Sequence, residues 1–224
     1  MKIVLTGFSI VLIAKAHNPN VLNPDFLKYN SIVDSLYTVG DVVCTPPIAH
    51  VIYKEGISVI ADFERLQFID DDPVRIPFDS PIPAIAKKYM DVLPHAMYSA
   101  SGINFTGYYK FENEEVATSF VKDKFIKAGP WLELKGGATD VGLKFVYTLD
   151  NVKNTISIEG GDIAHTNNET APILLFESNY HYECSGNSDS TDNNCNEKLK
   201  TYISKWEEYF KRFAAFIDSI FGGI

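Results

Sequence analysis

Ile3-Val4-Leu5-Thr6-Gly7-Phe8-Ser9-Ile10-Val11-Leu12-Ile13-Ala14-Lys15-Ala16 is the stretch on which the fold turns. Its β-branched and aliphatic side chains occupy both alternating faces, as a strand flanked by neighbours in mid-sheet requires. His17-Asn18-Pro19 ends it, because proline has no N–H to carry a ladder further. The same residues also imitate a short secretory leader: Lys2 precedes the apolar run, and Ala14-Lys15-Ala16 has the small-x-small form of a cleavage site. Thr6, Gly7 and Ser9 interrupt that run, so we read a buried strand in a cytoplasmic protein. Secretion with Met1–Ala16 removed is the alternative. The run is too short to cross a bilayer.

Outward from this strand, Asn23-Pro24-Asp25 predicts a helix start, with Asn as cap and Pro at the first helical position. That helix should end near Ile32 or Val33. Cys44-Thr45-Pro46-Pro47 is expected to be extended. Ala49–Tyr53 and Ile57–Ile69 predict two strands joined at Lys54-Glu55-Gly56, with the glycine at positive φ. Asp70-Asp71-Asp72-Pro73 closes the second. Ser80-Pro81 then opens a helix carrying Ile82, Ile85, Ala86, Tyr89 and Met90 at helical spacing, and Pro94 stops it.

From Met97 the order begins again. Met97–Phe111 predicts a strand, and Asn113-Glu114-Glu115 caps a helix reaching about Ile126, with Val116, Ala117, Phe120 and Val121 as its apolar stripe. Gly142–Leu149 and Asn154–Ile158 form a hairpin across Asp150-Asn151. Ile173–Tyr182 is a further strand, and a helix from about Glu197 to Phe221 closes the chain.

These elements predict an α+β fold. Two β-α-β-β-α repeats, residues 1–94 and 95–224, build antiparallel sheet with helices on one face, as one compact domain by pseudo-duplication. The order resembles the duplicated architecture of the TATA-box-binding protein fold. That resemblance concerns topology alone, since the phenylalanine wedge and basic flank that bend DNA have no counterpart here. The wording of His17-Asn18-Pro19, Leu22-Asn23-Pro24-Asp25-Phe26-Leu27 and Cys44-Thr45-Pro46-Pro47 also resembles an uncharacterised family of bacterial proteins of similar length. That family brings no known activity, so the likeness implies no site.

Composition narrows the function. An aromatic content of 13% favours a sheet-containing core, because large flat side chains suit strand faces. A formal net charge of -9, with no basic run, argues against a polyanionic partner, so nucleic acid is not expected. It suits a basic protein partner, or solubility alone. Cys44, Cys184 and Cys195 are too few for a disulfide scaffold. Cys184 and Cys195 bracket the polar loop Ser185–Asn194 and can close it in an oxidising compartment; in a reducing one both stay free.

The C-terminal helix is the strongest single feature. Leu199, Ile203, Trp206, Phe210, Phe213, Ile217 and Ile220 recur at spacings of four and three, with Tyr202, Tyr209 and Phe216 as a flanking row. Asn194 is placed to cap it and Gly222-Gly223 to end it. So wide an aromatic stripe fits the protein's own sheet better than a narrow coiled-coil seam. If part of it faces another chain, Trp206, Tyr209, Phe213 and Phe216 are the interaction residues.

Signals for chemistry are weak. Asp70-Asp71-Asp72, near Asp62 and Glu64, lacks calcium-loop spacing and reads as a solvated turn. The histidines His17, His50, His95, His165 and His181 are scattered; His181 with Cys184 has no second pair of zinc-ligand spacing. Cys44 and Ser101-Gly102 are the only nucleophile candidates, and neither has a local base signature. Gly136-Gly137-Ala138 and Gly160-Gly161-Asp162 lack a P-loop lysine and read as loops. No catalytic residue, metal or cofactor is expected. The leading expectation is a non-catalytic protein–protein interaction or scaffold protein, for example an acidic inhibitor, immunity or defence-associated subunit, with a protein partner or self-association. A binder of a small apolar ligand in a cavity between sheet and C-terminal helix is the alternative, and an enzyme with an unrecognised site is the second.

Overall fold

The computed structural model describes residues 3–15, 17–133, 141–164, 170–184 and 193–222. Nine strands, β1 (Val4–Ala14), β2 (Val39–Thr45), β3 (Ile48–Tyr53), β4 (Ile57–Ala61), β5 (Arg65–Asp70), β6 (Tyr98–Lys110), β7 (Leu143–Leu149), β8 (Val152–Ala164) and β9 (Thr170–Glu183), form one antiparallel sheet. Their spatial order is β2-β3-β4-β5-β1-β6-β9-β8-β7. Five helices complete the α+β fold: α1 (Pro24–Tyr29), α2 (Ile82–Val92), α3 (Glu114–Phe125), α4 (Asn193–Ile203) and α5 (Trp206–Phe221).

β1 lies in mid-sheet, paired with β5 on one side (Phe8↔Asp70, Leu12↔Leu66) and β6 on the other (Phe8↔Phe105, Ile10↔Ile103). Cleavage after Ala16 would remove this strand and leave two ladders without a partner. Among the described residues the two portions of the chain carry five and four strands, in place of the three that each β-α-β-β-α unit calls for.

Local chemistry explains the element ends. Asn23 caps α1 by accepting from the Phe26 N–H at 2.8 Å, and Asn113 caps α3 by accepting from Val116 at 2.9 Å. Asp150 and Asn151 both take positive φ (48° and 70°), the geometry that joins β7 to β8 in two residues. Ile57–Ile69 is not one strand. Asp62 accepts from the N–H groups of Glu64 (2.9 Å) and Arg65 (2.7 Å), and this side-chain turn reverses the chain between β4 and β5. The C-terminal helix is also interrupted. The Ser204 hydroxyl donates back to the Lys200 carbonyl at 2.9 Å, a bond that bends helices, and α5 starts afresh at Trp206. Asn194 lies inside α4, because that helix begins at Asn193.

The core lies between the sheet and the helices. Tyr89 of α2 packs on Phe68 (ring centroids 5.7 Å apart), and Phe26 of α1 packs on Tyr89 (6.0 Å). Along α5, Trp206 meets Phe8 (5.4 Å), Phe210 meets Phe105 (5.3 Å) and Phe221 meets Phe176 (6.0 Å). Phe120 of α3 stacks on Phe221, and Tyr202 of α4 stacks on Tyr182 (5.3 Å each). Such pairs add about 0.5–1.5 kcal/mol each beyond the area they bury. A disulfide between Cys184 and Cys195, with Cα atoms 5.8 Å apart, ties the end of β9 to α4.

Candidate functional site

Strand alternation sorts every sheet residue onto one of two faces. Phe8, Phe68, Phe105, Phe176 and Tyr180 lie on the face that receives the helix rings. Their neighbours in sequence point the other way, where none of these helix contacts falls. The registers connect these outward residues into rows across the sheet. One row reads Val43, His50, Ile60, Gln67, Val11, Gly102, His181, Lys153 and Thr148. The next reads Ile52, Ser58, Ile69, Ser9, Asn104, Asn179, Thr155 and Val146.

This face, bare of helix rings among the described residues, is divided. Across β2–β5 and β1 aliphatic residues alternate with His50, Ser58, Gln67 and Ser9: Ile13, Ile52, Ile60 and Ile69 are half-buried, Val11 is buried and Val43 is exposed. From β5 through β1 and β6 to β9 runs a chain of amides and a hydroxyl. Gln67 Nε2 donates to Ser9 Oγ at 3.3 Å, Asn104 Nδ2 donates to the same oxygen at 3.1 Å, and Asn179 Nδ2 donates to Asn104 Oδ1 at 2.5 Å. Gly102 leaves a notch beside this chain: a Cβ there would come within 3.2 Å of Asn179 Nδ2. His181 bonds Glu183 at 3.0 Å through Nε2. The amides fix one another's orientation, so the face presents a set array of polar groups.

The four aromatic residues of the C-terminal helix divide by burial. Phe213 is fully buried against Phe105 and has no surface left for a partner, and Tyr209 is buried with its ring 4.7 Å from that of Tyr180. Trp206 and Phe216 are half-buried. Trp206 shares an aromatic corner with the exposed Phe78, and Phe216 packs on Phe145 of β7 (5.6 Å).

A cleft of about 390 Å³ opens between the β7–β8 turn, β9 and helices α4 and α5. Its wall holds Tyr182, Tyr202 and Tyr209, and Asp150, Lys205, Glu208 and Arg212 stand around it. Burial, with the Glu208 carboxylate adding, pushes the Tyr209 hydroxyl up to about 12. Burial pushes Tyr202 higher still, and its hydroxyl donates to the Tyr180 carbonyl. These phenols stay protonated at neutral pH. The interlayer space under α5 is filled by the rings described above, and the cleft is open and mixed in polarity.

The remaining candidates are dispersed. Cys44 is exposed and pairs with Ala49, so alternation puts it on the opposite sheet face from His50. Ser101 is fully buried beside Leu12. Cys184 spends its sulfur on Cys195. The acidic turn is not wholly solvated: Asp70 is fully buried and takes both Arg75 Nε (2.9 Å) and Nη2 (2.6 Å). Arg75 also donates to the Glu55 carbonyl (2.9 Å), which pins the β3–β4 turn to the end of β5. His17 is buried, with Nδ1 3.0 Å from the Asp62 carbonyl and Nε2 2.7 Å from the Tyr89 hydroxyl. A carbonyl only accepts, so Nδ1 carries the proton and Tyr89 donates to Nε2. Burial lowers the His17 pKa, against a smaller raising effect from the Asp62 carbonyl. Gly136-Gly137-Ala138, His165, Gly223 and the Ser185–Asp192 part of the polar loop lie outside the described residues.

The bare face has no motif in the sequence, because its members are single residues on strands far apart in the chain. Ser9, Asn104 and Asn179 at outward positions of otherwise apolar strands are the one signal that could have found it.

A scan against protein-family models and a search of curated proteins return no match to this chain. No helix among the described residues is long and apolar enough to cross a membrane.

Proposed function

We propose that the protein is a non-catalytic docking subunit that holds a partner protein on the bare face of its sheet. The supporting observation is the division of that face: an aliphatic area from Ile52 to Ile13 borders the fixed amide chain Gln67–Ser9–Asn104–Asn179. Apolar surface drives association, and oriented amides select the partner's backbone or side-chain groups. A net charge of -9 favours a basic partner by steering its approach, as in an inhibitor or immunity-type subunit. The same charge disfavours nucleic acid.

The sheet order supports a duplicated origin. In each portion a long strand is followed by a helix and a meander that returns to pair with it, and the two long strands, β1 and β6, meet at the centre. The Cys184–Cys195 disulfide supports an oxidising compartment over the cytoplasm, and the central place of β1 argues against cleavage after Ala16.

Co-purification from the native host tests the docking reading, with wild type beside Ile60→Lys, Ile69→Lys and, on the exposed side of α2, Lys88→Glu. Wild type and Lys88→Glu should retain one basic protein that both isoleucine variants lose while their melting temperatures hold. Recovery of no protein by wild type, or equal recovery by all four, overturns it.

A small-ligand binder is the second reading, favoured by the tyrosine-walled cleft. A thermal-shift screen of small aromatic compounds would have to yield a hit that Tyr182→Ala abolishes.

A further inference from the structure

An open sheet has two edges, and here they differ. β2 carries a register shift between Val39 and Val42, has Asp41 within it, and runs into Pro46-Pro47. Bulges, charge and proline are the ordinary protections of an edge. β7 has neither bulge nor proline and a single charge: Leu143 to Leu149 pair with β8 without a shift, Lys144 is the one charged residue, and Val146 (53%) and Tyr147 (38%) are exposed. Among the described residues no strand pairs with its outer side.

The turn fixes which backbone groups are free. A two-residue turn closes on a hydrogen-bonded pair, here Leu149 with Val152, and the alternation then directs Tyr147, Phe145 and Leu143 towards β8. Thr148, Val146 and Lys144 therefore aim their N–H and C=O groups away from the sheet.

We propose that β7 pairs antiparallel with β7 of a second copy of this chain, about a two-fold axis through Val146, joining two sheets into one. The register is self-complementary. Val146 meets Val146, Lys144 meets Thr148, Phe145 meets Tyr147 and Leu143 meets Leu149. No like charges oppose one another, and an aromatic pair forms on each side of the axis. Outward groups of Lys144, Val146 and Thr148 exchange about six backbone hydrogen bonds. Phe216, half-buried against Phe145, lies beside the seam and gains cover. This pairing stands independently of the docking reading, and it would present two bare faces as one surface. The seam is short, about 24 Å of strand, so the dimer is weak.

Sedimentation of the full chain from about 1 to 200 μM, where a small interface dissociates, tests the pairing. Wild type should pass from monomer to dimer. Val146→Pro removes only an outward N–H and should stay monomeric with an unchanged far-UV spectrum. Val146→Lys and Val146→Glu place like charges on the axis, and each alone should dimerise at least tenfold more weakly. Mixed, they should form a heterodimer at least as tight as wild type. A wild type that is monomeric throughout overturns the proposal. So does a dimer that survives the proline and both charges, or a Lys/Glu mixture that fails to associate. Partner recovery by Val146→Pro separates this result from the docking reading.

Discussion

The two faces of the one sheet are made from the same strands and differ in what packs on them. On the covered face nearly every residue is an aromatic or aliphatic ring or branch with a partner opposite, and the rings of α5 reach from Phe8 to Phe176. On the bare face the positions between them hold most of the isoleucines from β3 to β1 and a chain of amides from β5 to β9. The comparison separates residues that hold the fold from residues available for other work.

Substitutions should break that contrast in graded fashion. Phe105→Ala should have the largest effect, because its ring touches Phe8, Tyr180, Phe210 and Phe213 together. A loss of about 3–5 kcal/mol in urea unfolding is expected, and a loss below about 1 kcal/mol would show that the two faces are not distinct in this way. Asp70→Ala comes next. It strands Arg75, whose side chain is 21% exposed and so keeps some hydration, and should cost about 2–4 kcal/mol.

His17 gives a smaller effect, confined to acid. Its pKa is lower in the folded protein than its ordinary value of 6.5, so the unfolded chain binds the proton first. Stability is therefore intact above 6.5 and falls as the pH drops below it towards the folded value. His17⁺ would also set a second N–H against the Tyr89 hydroxyl. Thermal melts of wild type and His17→Gln between pH 7.5 and 5 should show the steeper acid loss in wild type; parallel curves would refute the assignment. Smallest of all, Ile60→Lys and Ile69→Lys should shift stability by about 1 kcal/mol or less, while the docking proposal expects both to lose the partner. A larger loss would place these residues in the fold's support.

Much of the covered face was legible in the sequence. β1, the Asn-capped starts of α1 and α3, the Asp150-Asn151 turn and the helical stripe of α2 all follow from local periodicity and turn chemistry. Gly160-Gly161-Asp162, expected as a loop, lies inside β8, and three further features escaped for physical reasons. Asp62 looked like one more residue in a strand, and only its two backbone hydrogen bonds make it a turn. Ser204 is an ordinary helix residue until its hydroxyl bonds back to Lys200. The third feature, β2, carries almost no buried side chain, so nothing in its pattern announced a strand. The bare face was invisible for a further reason: Ser9, Gln67, Asn104 and Asn179 become neighbours only through the registers of four strands. Of the aromatic residues expected at an interface, Phe213 and Tyr209 are buried, Tyr209 at the wall of the cleft, and Trp206 and Phe216 are half-buried.

The central position of β1 has a consequence for biosynthesis. β1 leaves the ribosome before either of its partners: one flank waits for residues 65–70 and the other for residues 98–110. Until then an eleven-residue aliphatic segment has both hydrogen-bonding edges open. Pairings so distant along the chain form slowly, and nascent chains of this protein should depend on chaperone protection until β6 has been made.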